Sequence, residues 1–215
     1  MDKELAELIG ILLGDGSLGI YTSNYCGKIR TQYRIKVTLN SEKDARYSIY
    51  VCNLFVKVFG RKPKTWKRPG EKTLDLYLLG KSSLSFLTEL GMVLAPKWGR
   101  ARIPERFLEV PLDRYVLRGY MDTDGCVCAV NNNGIRYPRI EMKICPSPMQ
   151  GQLIRAMLRN GFRPQINSLE RGKIRVVLAG LKNLALWSRG VGFSNERNLS
   201  MAKSFLIGTT NKASL

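Results

Sequence analysis

The sequence predicts an α+β protein made of two pseudo-symmetric halves, each running helix, two strands, helix, two strands, helix. Three observations carry that prediction. A nine-residue motif occurs twice, Leu8-Ile-Gly-Ile-Leu-Leu-Gly-Asp15-Gly16 and Leu117-Arg-Gly-Tyr-Met-Asp-Thr-Asp124-Gly125, at an offset of 109 with leucine, glycine, aspartate and glycine in the same slots. Segments of period-2 hydrophobic alternation follow each copy in the same order, which is the signature of strands with one oily face. The charge divides evenly, with 19 basic and 10 acidic side chains in residues 1–107 and 16 and 7 in residues 108–215.

The first helix is expected over Glu4 to Leu13, closed by the glycines of the motif. Arg34-Ile-Lys-Val-Thr-Leu39 then matches Arg139-Ile-Glu-Met-Lys-Ile144 at an offset of 105, and Phe59-Gly60-Arg-Lys-Pro63 matches Asn160-Gly161-Phe-Arg-Pro164 at 101. From Leu74 to Lys97 the offset stays at 100, pairing Gly80 with Gly180, Leu84 with Leu184 and Lys97 with Arg197. Ile35, Val37 and Leu39 alternate with Arg34, Lys36 and Thr38; Leu74, Leu76 and Leu78 with Thr73, Asp75 and Tyr77; Ile140, Met142 and Ile144 with Arg139, Glu141 and Lys143; and Ile174, Val176 and Leu178 with Lys173, Arg175 and Val177. Arg68-Pro-Gly70-Glu is a turn between strands. Each half therefore builds a four-stranded antiparallel sheet whose oily face helices must cover. Gly99 to Asp113, with Pro104 and Pro111, is the expected connector between residues 1–98 and 114–215.

Composition narrows the chemistry. The 215 residues carry 35 Lys and Arg against 17 Asp and Glu and no histidine, a formal charge of +18. Imidazole bases and ligands are thus excluded, and nucleic acid is the first partner to consider, ahead of an anionic membrane surface. No apolar run approaches the roughly 20 residues of a spanning helix, and Met1-Asp2-Lys3-Glu4 does not resemble a signal peptide. Five cysteines, an odd number without paired C-x-x-C knuckles, fit a reducing compartment. The expectation is an intracellular protein with no visible targeting segment. Cys126 and Cys128 share one strand face and suggest small-residue packing or contact surface rather than a metal clip.

The polar face of the sheets mixes Arg and Lys with Gln32, Glu141, Gln165 and Asn167. Arg and Lys suit guanine, Gln and Asn suit adenine, and an acid accepts from cytosine, so the mixture predicts a surface that reads bases in a DNA groove. The candidates are Tyr21, Ser23, Arg30, Gln32, Arg34, Lys36, Thr38, Lys64, Trp66, Arg68, Asp75 and Tyr77 in the first half. In the second they are Cys128, Asn132, Arg136, Arg139, Glu141, Lys143, Gln165, Asn167, Arg171, Lys173 and Arg175.

Gly14-Asp-Gly16-Ser-Leu-Gly19 matches a G-x-G-x-x-G dinucleotide fingerprint, but that fingerprint opens a helix after a strand, whereas these glycines close a helix. Gly10 and Gly14 lie four apart on one helical face, as do Gly119 and Thr123, so the two motif helices are expected to pack through a small-residue seam. Asp15 would then stand beside Asp124, both at helix C-termini where the dipole and mutual repulsion disfavour carboxylates. Hard divalent cations between the acids and a phosphate account for that arrangement.

With these residues in place, the chain resembles the LAGLIDADG homing endonucleases of the single-chain, double-motif kind, over nearly its whole length. The resemblance implies αββαββα halves with saddle-shaped sheets straddling the DNA major groove, and a monomer acting as a pseudo-dimer without an obligate protein partner. It implies Mg²⁺-dependent cleavage of both strands of a long pseudo-palindromic target to cohesive 3′ ends, with Mn²⁺ substituting and Ca²⁺ binding without supporting cleavage. Carried over residue by residue, it makes Asp15 and Asp124 catalytic metal-binding acids, the Gly14 and Thr123 carbonyls further ligands, and Lys97 and Arg197 basic residues near the scissile phosphates. Leu39, Asn40, Ile144 and Cys145 depart from the Gln or Lys the family often carries there, and Asp122 is expected to orient neighbours or lie on the surface. An RNA-binding intron maturase and a non-cleaving DNA-binding regulator are the alternatives, and both retained acids count against them. Met1 at the start and Lys212-Ala-Ser-Leu215 at the end, without Cys or Ser first or a His-Asn junction last, favour an intron-encoded enzyme over one embedded in an intein.

Overall fold

The computed structural model describes residues 2–210, apart from the side chains of Tyr25, Asn132 and residues 208–210. The first half runs α1 (Asp2–Leu13), β1 (Gly16–Tyr25), β2 (Lys28–Asn40), α2 (Ala45–Phe59), β3 (Lys64–Lys67), β4 (Thr73–Leu79) and α3 (Lys81–Glu89). The second repeats it as α4 (Leu112–Asp124), β5 (Gly125–Asn132), β6 (Ile135–Ile144), α5 (Met149–Arg159), β7 (Gln165–Ser168), β8 (Ile174–Ala179) and α6 (Gly180–Gly190). It then adds a helix that the expected plan lacks, α7 (Glu196–Thr210). Between the halves, residues 99–111 hold a 3₁₀ turn at Glu105–Phe107, and Leu112 and Asp113, assigned to the connector from sequence, form the first turn of α4.

Both sheets are four-stranded and antiparallel, in the orders β1-β2-β4-β3 and β5-β6-β8-β7. Two-residue hairpins join their first strand pairs. Cys26-Gly27 and Asn133-Gly134 all take positive φ, as the turn that matches strand twist requires. The alternation read from sequence is the observed one: Ile35, Val37, Leu39, Leu76 and Leu78 are buried on the inner face, as are Ile140, Met142, Ile144, Val176 and Leu178. Helices cover those faces, and the apolar side chains form one continuous core through both halves.

The register makes the two polar faces superimposable. In the first sheet Ser17, Lys36, Tyr77 and Lys64 lie side by side across the four strands, and Thr38, Asp75 and Trp66 form the next row. In the second sheet Cys126, Glu141, Val177 and Gln165 occupy the first of these rows, and Lys143, Arg175 and Asn167 the second.

The halves join through α1 and α4 along the expected seam. A Cβ on Gly10 would overlap the Val116 carbonyl of α4, one on Gly119 the Glu7 carbonyl of α1, and one on Gly14 the Thr123 hydroxyl. Thr123 packs that hydroxyl against Gly14 in the seam and satisfies it within its own helix, donating to the carbonyl of Gly119 or Tyr120, at 3.0 Å from each.

Candidate active site and nucleic-acid interface

The seam delivers two acids to one place. Asp15 lies in the turn after α1 and Asp124 ends α4, and the backbone of Gly14 approaches the Asp124 carboxylate. Both acids are exposed, so a phosphate can reach them, yet the converging helix ends crowd their carboxyl groups. Loss of water, followed by the charge of Asp124, pushes Asp15 up to about 6. Desolvation also raises Asp124, against the pull of Lys97 and a hydrogen bond with Tyr120. Tyr120 is itself buried, with its hydroxyl donating to the Lys143 carbonyl at 2.8 Å, and it supports Asp124 from beneath.

Lys97 caps α1. Its ammonium donates to the carbonyls of Leu12, Leu13 and Gly14 at 3.0, 2.8 and 2.7 Å, the unpaired acceptors that a helix C-terminus leaves. Desolvation lowers its pKa, while the charges of Asp124 and Asp15 oppose the shift. The Gly14 carbonyl, a metal ligand on the resemblance, is therefore engaged by Lys97. Arg197 sits differently from its counterpart: in the first turn of α7 it faces Asp44, 3.8 Å away, and not the carbonyls that end α4.

The donor set fits a hard divalent cation. Two crowded carboxylates with raised pKa values repel each other until a cation neutralises them. Among the described residues no cluster of three or more His, Cys, Asp or Glu forms a cage. A pair of carboxylates facing solvent suits a cation that keeps waters and takes phosphate oxygens as further ligands, as Mg²⁺ does.

Most groove-reading candidates stand on the outer faces. A concavity of about 590 Å³ in the first sheet is lined by Gln32, Arg34, Lys36, Lys64, Trp66, Arg68, Asp75, Tyr77 and Leu79. Trp66 is 51% exposed, and Arg34 stacks on the Tyr21 ring at 4.1 Å. Ser23, Arg30, Arg136, Gln165, Asn167 and Arg171 are exposed, Cys128 and Lys173 are half-buried, and Asn132 has its side chain outside the described residues. Asp75 corrects the reading from sequence. It is only 4% exposed and accepts hydrogen bonds from Thr38 Oγ1 at 2.7 Å and Arg68 Nε at 3.0 Å, with Lys36 at 3.7 Å. Burial works to raise its pKa, but the bonds from Arg68 and Thr38 and the charge of Lys36 hold it below the usual carboxylate range. Asp75 and Thr38 thus brace Arg68 and Lys36 from below instead of meeting bases themselves. In the second sheet Glu141 plays the bridging part, 3.9 Å from both Arg139 and Arg175.

Asp122 is buried and not on the surface. It accepts from the backbone N–H groups of Ser194 and Asn195 at 2.6 and 3.0 Å and from Asn198 Nδ2 at 3.0 Å, fixing the start of α7. Asn195 caps α7 through the Arg197 N–H and reaches Asp44 in the first half at 2.9 Å. Beside it, buried Glu7 of α1 pairs with Arg118 of α4 and accepts from Ser194 Oγ at 2.6 Å. Sequence reading missed this network, since its members stand far apart in the chain, Glu7 precedes the first motif copy, and Arg118 stands in a motif slot that holds Ile9 in the first copy. Asn40 is a turn residue: its side-chain oxygen accepts from the Glu42 and Lys43 N–H groups at 3.0 and 2.9 Å. All five cysteines are free.

Comparison with known proteins agrees with this geometry. Residues 6–178 match the LAGLIDADG DNA endonuclease family. The fold superimposes on mesophilic variants of the homing endonuclease I-DmoI with a TM-score of 0.61 at 17% identity, covering 89% of this chain and 96% of that one. It superimposes on I-DmoI in complex with DNA and Mn at 0.61, over 89% and 97% of the two chains and also at 17% identity. The meganuclease I-SmaMI bound to uncleavable DNA gives 0.61 at 11% identity, over 87% and 84%. At such identities the likeness is one of fold. The replication factor C small subunit of Methanocaldococcus jannaschii is 28% identical over 209 residues, which are 92% of this chain and 10% of that protein, so the chain spans about a tenth of this relative's length.

Proposed function

Because the chain belongs to the LAGLIDADG DNA endonuclease family, we propose that it is a site-specific, Mg²⁺-dependent endonuclease of the intron-encoded homing type that cuts both strands of a long pseudo-palindromic duplex. The carrying observation is the pair of crowded, exposed acids, Asp15 and Asp124, brought together by the glycine seam between two basic sheets. The sheets bind the major groove on either side of the dyad, and the seam faces the minor groove between them, about 6 Å wide. Phosphates that face each other across a minor groove lie on opposite strands and are offset toward 3′, so one acid serving each strand leaves cohesive 3′ ends. A bound divalent cation supplies charge neutralisation at the phosphodiester and eases deprotonation of water. The chain's own part is to hold Asp15 and Asp124 charged and side by side, to anchor the α1 terminus through Lys97, and to register the duplex through the sheets. The complexes of I-DmoI with DNA and Mn, and with DNA and Ca, support divalent metal use on this fold. The replication factor C relative carries its matching segment within a much longer chain, which favours a host reading frame as the alternative setting for the same activity.

The test is selection of a cleavage site from randomised duplex DNA with Mg²⁺, with Ca²⁺ and with EDTA. One long sequence cut with staggered ends only in Mg²⁺ is expected. Tight binding of structured intron RNA without DNA cleavage would replace this reading with a maturase.

A further inference from the structure

At two equivalent slots the sheets carry opposite charge, Lys36 against Glu141 and Asp75 against Arg175. Lys36 and Lys64 stand in one cross-strand row of the first sheet, where the second sheet has Glu141 and Gln165. The neighbouring row holds Asp75 in the first sheet, where the second has Arg175 beside Lys143. The acid in each sheet is shared among cations of its own sheet, Asp75 between Arg68 and Lys36 and Glu141 between Arg139 and Arg175, so no acid is left without a partner. Asp75 is buried, whereas Glu141 is half-buried and has more lone pairs than its two cations use, so it can also accept from a base. The net surplus of cation over acid lies in different rows of the two sheets.

The rows also differ in their distance from the acids. The Thr38 N–H donates to the Asp15 carbonyl at 3.1 Å, and the pairing of Gly125 with Met142 places Lys143 next to the Asp124 end of α4. The Asp75 row and the Lys143–Arg175 row are therefore the inner ones. The cationic row is outer in the first sheet and inner in the second. Two residues along a strand separate the rows, about 7 Å, or roughly two base-pair steps of about 3.4 Å.

Resting on the DNA-binding reading above, we propose that this inversion sets a fixed asymmetry in the target. Lys36 and Lys64 select guanine at an outer position of one half-site. Lys143 and Arg175 select guanine about two base pairs nearer the dyad in the other, whose outer position is cytosine, accepted by Glu141. At these positions the half-sites are not related by the dyad.

Binding selection separates this from the nuclease reading, because it needs no cleavage. The whole protein and its E141K/R175D variant, which gives these two slots of the second sheet the charges they have in the first and leaves Lys143 facing the new acid across the strands, are equilibrated in EDTA with randomised duplex DNA, and the bound fraction is sequenced. The wild-type protein is expected to show the displaced guanines, each preferred on the order of tenfold. In the variant the second half-site's guanine moves outward, making the selected sequence more palindromic while the first half-site is unchanged. Dyad-symmetric wild-type half-sites at these positions, or an unchanged selection by the variant, overturns the proposal, as does wild-type protein enriching no sequence. If E141K/R175D does not fold by circular dichroism, E141Q is used: loss of the outer cytosine preference in the second half-site alone supports the proposal, and its retention overturns it. Displaced guanines in a protein that fails to cut with Mg²⁺ leave this inference standing and remove only the nuclease reading.

Discussion

With its carboxyl group pushed up to about 6, Asp15 holds a proton in the folded chain that it releases in the unfolded one, whose value is 3.8. Across the window from about pH 4 to about 6 the folded state binds more protons, so stability falls as pH rises, and at neutral pH the charged pair is a standing destabilisation. Without divalent cations D15N should therefore melt at a higher temperature than the wild type at pH 7, with the difference vanishing below pH 4. The same substitution should abolish cleavage while leaving DNA binding intact. A lower melting temperature for D15N at pH 7 would mean that the acid has a structural task. Asp75 carries the opposite sign. Its carboxyl is held below 3.8, so its contribution is complete above that value and disappears as pH falls through the folded one. D75N should cost about 2 kcal/mol at pH 7, from charge-assisted hydrogen bonds to Arg68 and Thr38, and less as the pH approaches 2. Urea unfolding at both pH values measures it.

The helices show which features a sequence can disclose. The glycine seam of α1 and α4 was legible because close backbone approach needs small residues at a spacing of four, and the motif repeats it. G119A should disturb both cleavage reactions together, since its Cβ would overlap the Glu7 carbonyl and separate the two acids at once; a duplex labelled on each strand would report equal losses. The strands were legible for a similar reason, as period-2 alternation fixes which side chains face inward. Alternation placed Asp75 on the outer face but could not show that Arg68 roofs it over, which depends on the turn after β3. Helix α7 had no counterpart in the first half to predict it, and its anchor, Asp122, reads in sequence as part of the motif. Glu7 and Arg118 stayed hidden because a pair 111 residues apart leaves no pattern. Glu7 is 1% exposed, so removing its partner leaves a buried charge: R118A should cost about 3 kcal/mol in chemical denaturation, and more than the E7L/R118L double substitution.

At the scale of the whole molecule, +18 on 215 residues is a self-repelling surface whose relief is a polyanion. The even division of charge spreads that demand over both halves, and the sheets place two basic polar faces on either side of the seam that holds Asp15 and Asp124. Each phosphate neutralised by a Lys or Arg releases counterions and adds about 0.9 to the slope of log affinity against log salt. A saddle engaging duplex DNA through both sheets makes on the order of six or more such contacts, so affinity measured in EDTA should fall roughly a thousandfold between 50 and 200 mM salt. A slope of only two or three would mean that one sheet alone engages. Exposed lysines divide into two kinds by the same measurement. K28A, at the hairpin end of β2, should lower the slope by about one and weaken all sequences equally if it touches phosphate. K64A, in the concavity beside Trp66, should instead relax preference at one base pair, because a side chain that reads a base edge contributes discrimination and not merely charge.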